Sequence, residues 1–174
     1  MSEKKQILIP LDGSPFSLQV LESVKQFLPP EEHRLTLLQV VAEPMGIIAG
    51  PSQPAAAAGG AYTPMYNSHQ DALRAHHPIY ASQEEESKYG AVRSAMQDVF
   101  KQLEAWGYEV DLAVRFGEPV AEIVNFIRSR KIDLVAMTTH GRSGLSRLLF
   151  GSVASELIHR LDVPVLLLRP FKRV

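Results

Sequence analysis

Cysteine is absent from the 174 residues, which excludes disulfide staples, thiolate metal sites and thiol catalysis. A surplus of either charge is missing too. Lys and Arg total 18 against 19 Asp and Glu, a formal charge of −1, so no global field draws nucleic acid or anionic lipid, and any anion site must be local. No apolar run reaches the roughly 18–20 residues that cross a bilayer. The opening MSEKKQILIP has neither the apolar stretch nor the small-residue cleavage site of a secretory signal. The expectation is a cytoplasmic protein without membrane insertion or nucleic acid partner. Two nucleotide motifs are also lacking. G-x-x-x-x-G-K-[ST] does not occur, which argues against a P-loop NTPase, and G-x-G-x-x-G does not occur, which argues against a Rossmann dehydrogenase.

What is present alternates between two hydrophobic periods. QILIP (6–10), RLTLLQVV (34–41), EVDLAVRF (109–116), DLVAMTT (133–139) and VPVLLLR (163–169) are short apolar runs bounded by turn residues, the pattern of strands. The last two are nearly continuous, as in strands buried on both faces. Helical spacing lies between them: Phe16, Val20, Val24 and Phe27; Val92, Met96, Val99, Leu103 and Trp106; Val120, Ile123, Val124 and Ile127; Val153, Leu157, Ile158 and Leu161. Each set stripes one helix face. Ser14–Pro15 reads as N-cap and first helical residue, Gly107 as the end of the second helix, and Pro119 as the start of the third. Alternating strands and helices imply parallel strands with right-handed crossovers in one α/β domain, long enough to bury about 70% of its unfolded surface unaided.

One crossover is abnormal. Residues 43–83 run for about 40 residues rich in Pro, Gly, Ala and Ser, where a connection of a few residues is usual. QDALRAHH suits a short helical turn, and the EEE at 84–86 suits the positive end of the helix that follows. The histidines His69, His76 and His77 match no zinc spacing and read as solvated loop residues. The insertion is either a lid or partner-binding loop or a tolerated surface excursion.

The stretch TTHGRSGLSRLLFGS (138–152) holds the best candidate for chemistry. In an open parallel sheet, ligands settle beyond the carboxyl ends of the strands, where the winding reverses. Gly141 is expected to end the fourth strand, and Gly151–Ser152 to open the last helix, whose first N–H groups lack partners and carry the positive end of the dipole. Glycine admits a phosphate to the backbone, Ser152 adds a hydroxyl, and Arg142 and Arg147 add positive charge. From spacing alone, the same residues read equally as an ordinary strand-to-helix loop.

Residues 137–170, MTTHGRSGLSRLLFGSVASELIHRLDVPVLLLRP, strongly resemble the universal stress protein family, and ILIPLDGSPFS, LLQVV and RFGEPVAEIV resemble its other conserved segments. The resemblance covers the chain except 43–83. It implies a five-stranded parallel sheet in the order 3-2-1-4-5, of the adenine nucleotide alpha hydrolase-like, Rossmann-like kind. It implies binding of ATP or another adenine nucleotide, with Mg2+ as a companion ion of the phosphates. The family's phosphate motif is glycine, two residues, glycine, nine residues, glycine, then serine or threonine. Gly141, Gly151 and Ser152 match the second and third glycines and the hydroxyl, whereas Thr138 stands where the first glycine is expected. Asp12 would approach the nucleoside, Val40 would offer backbone groups to the adenine edge, and Met137 would line the pocket. Pro10, Arg142, Gly144 and Val153 complete the implied set. Read without the resemblance, Asp12 serves nearly as readily as a turn residue, and Val40 and Met137 read more readily as core packing.

Function follows from which groups are there. Related adenylating enzymes of this broad fold carry a serine–glycine–glycine loop after the first strand, where this chain has PLDGSPFS. No histidine is assigned to Ser152 by spacing, and His140 reads as readily as a loop residue as a base. A nucleotide-binding regulatory module is therefore expected, with a protein-interaction dimer whose site is vestigial as the alternative and slow ATP hydrolysis third. The last strand lies at a sheet edge, and the resemblance implies a homodimer through Val165, Leu166, Leu167 and Leu168. Any further protein partner is unknown.

Overall fold

All five apolar runs form strands. The computed structural model describes residues 3–41, 78–139 and 151–170. The strands are β1 (Lys5–Leu11), β2 (His33–Val41), β3 (Glu109–Phe116), β4 (Leu134–Thr138) and β5 (Val165–Leu168), and the helices α1 (Val20–Phe27), α2 (Pro78–Ala95), α3 (Gln97–Ala105), α4 (Pro119–Ser129) and α5 (Ser152–Arg160). The chain divides into two units, Met1–Ala42 with Val92–Val174, and Glu43–Ala91. The sheet belongs to the first; of the second, the described part is the opening turns of α2.

The strands pair in the order β3-β2-β1-β4-β5, all parallel. The chain winds outward from β1 to β3, then returns to β4 on the other side of β1. Between β1 and β4 the winding therefore reverses, and the crevice there opens at the carboxyl ends of both strands.

Successive side chains of a strand point to opposite faces, so a strand covered on both sides must be apolar throughout. Ile7 and Ile9 of β1 join Leu35, Leu37, Val20, Val24 and Leu103 in one core, while Leu8 joins Leu38, Val135, Val120, Ile123 and Leu157 in the other. Leu8, Ile9, Leu35 and Val135 are fully buried, and this explains the unbroken runs that the sequence shows. The edge strands differ. One flank of β3 carries Glu109 and Asp111, bridged to Lys4 and Arg34 at 2.9 and 3.1 Å.

Three details depart from the sequence pattern. Ser14 is not the cap of α1: its hydroxyl accepts from the Ser17 N–H at 3.2 Å, at the start of a 3-10 turn, Ser17–Gln19, whose N-cap is Phe16. Because 3-10 winding advances a third of a turn per residue, the phase set by Phe16 is not carried into α1. Val20, Leu21 and Val24 are buried, and Phe27, expected in the stripe, is 60% exposed as the last helical residue. The second expected helix is two, α2 and α3, parted by a turn at Met96; Val92, Met96 and Leu103 are buried, with Val99 and Trp106 packed beside them. Helix α2 starts at Pro78, so Glu84–Glu86 lie about two turns inside it and not at its positive end. Proline tolerates the first helical position because its missing N–H is unpaired there anyway. The QDALRAHH stretch lies outside the described residues.

Candidate functional site

The crevice between β1 and β4 holds a cavity of about 300 Å3, at the small end of ligand sites. Four segments build it. From β1 come Pro10 and Leu11, followed by Asp12 in the turn that leaves the strand. The turn requires glycine next, since Gly13 adopts φ +77°, which side chains disfavour. Asp12 Oδ1 accepts from the Ser14 N–H at 2.9 Å, an Asx turn that fixes the carboxylate at the cavity mouth. Ser17 follows, 4% exposed, its hydroxyl donating to the Ser14 carbonyl at 2.9 Å.

Strand β2 contributes Leu38 and Val40. Val40 is the first residue past the last β1 pair, Leu11↔Gln39. The next carbonyl, that of Val41, accepts from Gly117 on the β3 side. Neighbouring peptides of a strand face opposite edges, so Val40 turns its peptide groups toward the side where β1 departs. Strand β4 ends in Met137 and Thr138, with Thr139 just beyond; the three are 6%, 7% and 5% exposed, and all line the cavity. Pro119 and Ile123, one turn apart on α4, close the apolar wall.

The fourth segment is the start of α5. Gly151 is its N-cap, extended at φ −68° and ψ 162°, with no side chain to receive the first amides. Its own N–H donates to the Thr139 carbonyl at 2.6 Å, and its carbonyl accepts the first helical bond, from Ser155, at 2.9 Å. The N–H groups of Ser152, Val153 and Ala154 come before that bond and lack partners within the helix. All three residues line the cavity. The donors that the helix end offers are thus not that of Gly151 itself but those of the three residues after it. Among the described lining residues Asp12 carries the only formal charge, so the favourable potential for an anion is that of the helix end.

Of the residues singled out in the sequence, Pro10, Asp12, Val40, Met137, Thr138, Gly151, Ser152 and Val153 share this cavity. Gly141, Arg142 and Gly144, with His140 and Arg147, lie outside the described residues. Sequence reasoning missed Leu11, Ser17, Leu38, Pro119, Ile123, Thr139 and Ala154. Ile123 was read as core because one apolar stripe serves both purposes, and Ser17 gave no signal because it sat inside an expected helix. Among the described residues no three histidines or carboxylates gather around a point fit for a metal ion. Asp12 is the lone lining carboxylate and already accepts a backbone N–H, so the described residues form no dedicated Mg2+ cage. Hydroxyls, one carboxylate and helix amides are groups that hold and orient a phosphorylated heterocycle against an apolar wall.

Fold and cavity together define an α/β protein with a cavity at the switch point of its parallel sheet. The chain belongs to the universal stress protein family, whose model matches residues 4–169, and its strand order is that of the adenine nucleotide alpha hydrolase-like fold. It is 38% identical to universal stress protein MJ0531 of Methanocaldococcus jannaschii over 81 residues, 47% of this chain and 48% of that protein. The match thus spans about half the length of that curated relative. Universal stress protein YxiE of Bacillus subtilis is 23% identical over 94% of this chain and 98% of its own. Among solved structures, MJ0577 superposes with a TM-score of 0.67 at 22% identity, covering 99% of this chain and all of that one. A universal stress protein in complex with cAMP gives 0.57 at 17% identity, covering 98% and 100%. A family protein from Arabidopsis thaliana with AMP bound gives 0.56 at 12%, covering 96% and 92%. At these identities the superpositions establish the fold. No helix among the described residues is long and apolar enough to cross a membrane.

Proposed function

We propose that the chain is a regulatory module that binds ATP or another adenine nucleotide in the cavity between β1 and β4. One observation carries this reading: the start of α5, with a glycine cap and no side-chain acceptor, lines the same cavity as Asp12. Phosphate takes the amides of Ser152, Val153 and Ala154 and the Ser152 hydroxyl. Asp12 accepts from the sugar hydroxyls, and the base lies against Leu38, Val40 and Ile123. Gly141, Arg142 and Gly144 belong to the same proposed set. The cAMP and AMP complexes of structural neighbours support an adenine ligand, while Thr138, buried where the family motif has glycine, narrows the floor beneath the sugar. Occupancy regulates partner affinity rather than driving rapid hydrolysis, in a single cytoplasmic domain that carries 43–83 as an insertion.

A second reading, that of an interaction dimer, is favoured by β5. Val165–Leu168 pairs with β4 alone among the described strands, is half-buried throughout, and carries no charge. Such an edge invites an antiparallel copy of itself. The two readings are compatible, and the homodimer belongs to the proposal. Calorimetric titration of nucleotide-free protein with ATP, ADP, AMP and cyclic AMP tests the first, with saturable binding of at least one expected. Failure of all four at millimolar concentration overturns it and leaves the dimer. Light scattering at micromolar concentration tests the second: two chains are expected, and a mass of one chain, or full dimer in Leu167→Lys, refutes the β5 interface.

A further inference from the structure

Thr139 occupies an unusual place between the cavity and the sheet edge. Its N–H donates to the carbonyl of Leu168, the last residue of β5, at 2.8 Å, and its carbonyl accepts from the N–H of Gly151, the cap of α5, at 2.6 Å. One residue therefore ties the end of the edge strand to the start of the helix that lines the site. The tie is well shielded, since Thr139 is 5% exposed, and a buried hydrogen bond is costly to leave unmade. Packing runs the same way: Val153, in the first turn of α5, shares a core with Val163, Val165 and Leu167. At the far edge, β3 is anchored to β2 through eight pairs and by the ion pairs of Arg34 with Glu109 and Asp111. Strand β5 has four pairs, so its end is the weaker of the two.

Resting on the nucleotide reading of the cavity, we infer that occupancy regulates the β5 edge through this Gly151–Thr139–Leu168 relay. An anion on the amides of Ser152, Val153 and Ala154 orders the first turn of α5, holds the Gly151 N–H on Thr139, and so holds the Thr139 N–H on Leu168. The empty site lets the end of β5 open locally; the filled site keeps it closed and presentable to a second copy of the chain. Linkage makes the effect reciprocal: whatever covers β5 tightens the nucleotide by the same factor.

Hydrogen exchange on the full chain decides it in two independent arms. In the first, with AMP or ATP at a concentration shown by titration to saturate, peptides covering Val163–Arg169 are expected to exchange at least ten-fold more slowly, and those covering Glu109–Phe116 less than two-fold. Verified saturation with β5 unchanged, or with both edges slowed alike, overturns the relay. In the second arm no ligand is used. Gly151→Pro keeps a φ that proline accepts, −68°, while deleting the donor to Thr139, and Gly151→Ala keeps the donor. The proline variant alone is expected to accelerate β5 exchange about ten-fold, and equal exchange in both variants overturns the relay whatever the ligand. Absence of any nucleotide binding refutes the functional reading and the regulatory part of the inference, while the proline arm still decides the mechanical part.

Discussion

Two helices start at the same edge of the sheet, and their ends are built in opposite ways. At α4, Glu118 supplies its own carboxylate: Oε1 accepts from the Val120 N–H at 3.1 Å and Oε2 from the Ala121 N–H at 2.7 Å, while Pro119 has no N–H to satisfy. At α5 the corresponding residue is Gly151, which offers no acceptor, and three amides face a cavity. Both ends carry the same dipole and the same geometric need for an anion. The chain meets that need itself at α4; at α5 the proposed nucleotide meets it. A missing cap is ordinarily a defect; at the switch point of a parallel sheet it is the means of binding.

The comparison breaks most sharply if α5 is given what α4 has. Gly151→Asp places a carboxylate at the N-cap, where it accepts the Val153 or Ala154 N–H and competes with phosphate for the same seat. Nucleotide affinity is expected to fall more than 100-fold, while thermal stability holds or rises by a few tenths of a kcal/mol, the usual difference between Asp and Gly at an N-cap. A damaged fold would lower both together, so a drop in melting temperature alongside the loss of binding would contradict the capping argument.

Removing one donor from the seat tests it more gently. Ser152→Ala leaves the three amides and deletes one hydroxyl, so binding should weaken by about 1–2 kcal/mol, roughly 5- to 30-fold, with the melting temperature unchanged. An affinity equal to that of the natural chain would show that the hydroxyl points elsewhere. The mirror substitution belongs to α4. Glu118→Ala strips both acceptors and should cost about 1–2 kcal/mol of stability in denaturant unfolding, with nucleotide affinity within two-fold. If Glu118→Ala instead weakens binding as Ser152→Ala does, the division of labour between the two helix ends is wrong.

Local rules made most of the fold legible. Short apolar runs bounded by turn residues located all five strands, and Pro119 and Gly107 marked a helix start and a helix end because each fixes the backbone through its own geometry. Less legible was anything set by how one winding hands over to the next. A 3-10 turn before α1 looks like helix in a hydrophobic pattern, and so Phe27 was placed inside although it is 60% exposed. At the site, glycine and serine at 151–152 announced a helix start that could take an anion. That the Gly151 N–H is already bound to Thr139 depends on a contact across eleven intervening residues, which no local pattern encodes. For the same reason Thr139 was overlooked beside its neighbour Thr138.

The smallest effect concerns a helix end of the other sign. The Tyr108 hydroxyl donates to the carbonyl of Leu28 at 2.6 Å, with the Val24 carbonyl a secondary contact at 3.3 Å, closing the C-terminus of α1 from 80 residues away. Like Glu118 it satisfies a helix end from within the chain, so its loss should touch stability and spare binding. Tyr108→Phe is expected to cost about 1 kcal/mol, since a hydrogen bond is lost and carbonyls are left short of a donor. The phenol also titrates. Burial first, and the nearby Glu31 carboxylate second, raise its pKa above the ordinary tyrosine value of about 10, because both disfavour the phenolate. The native state therefore keeps a proton that the unfolded chain has already released above about pH 10. Its contribution is fully present below that pH and fades as pH rises through the higher native value. Denaturant unfolding between pH 8 and 11 should show the natural chain losing stability above pH 10 more steeply than Tyr108→Phe, so that the gap between them narrows. Parallel profiles for the two proteins would mean that Tyr108 does not hold its proton against the ends of α1.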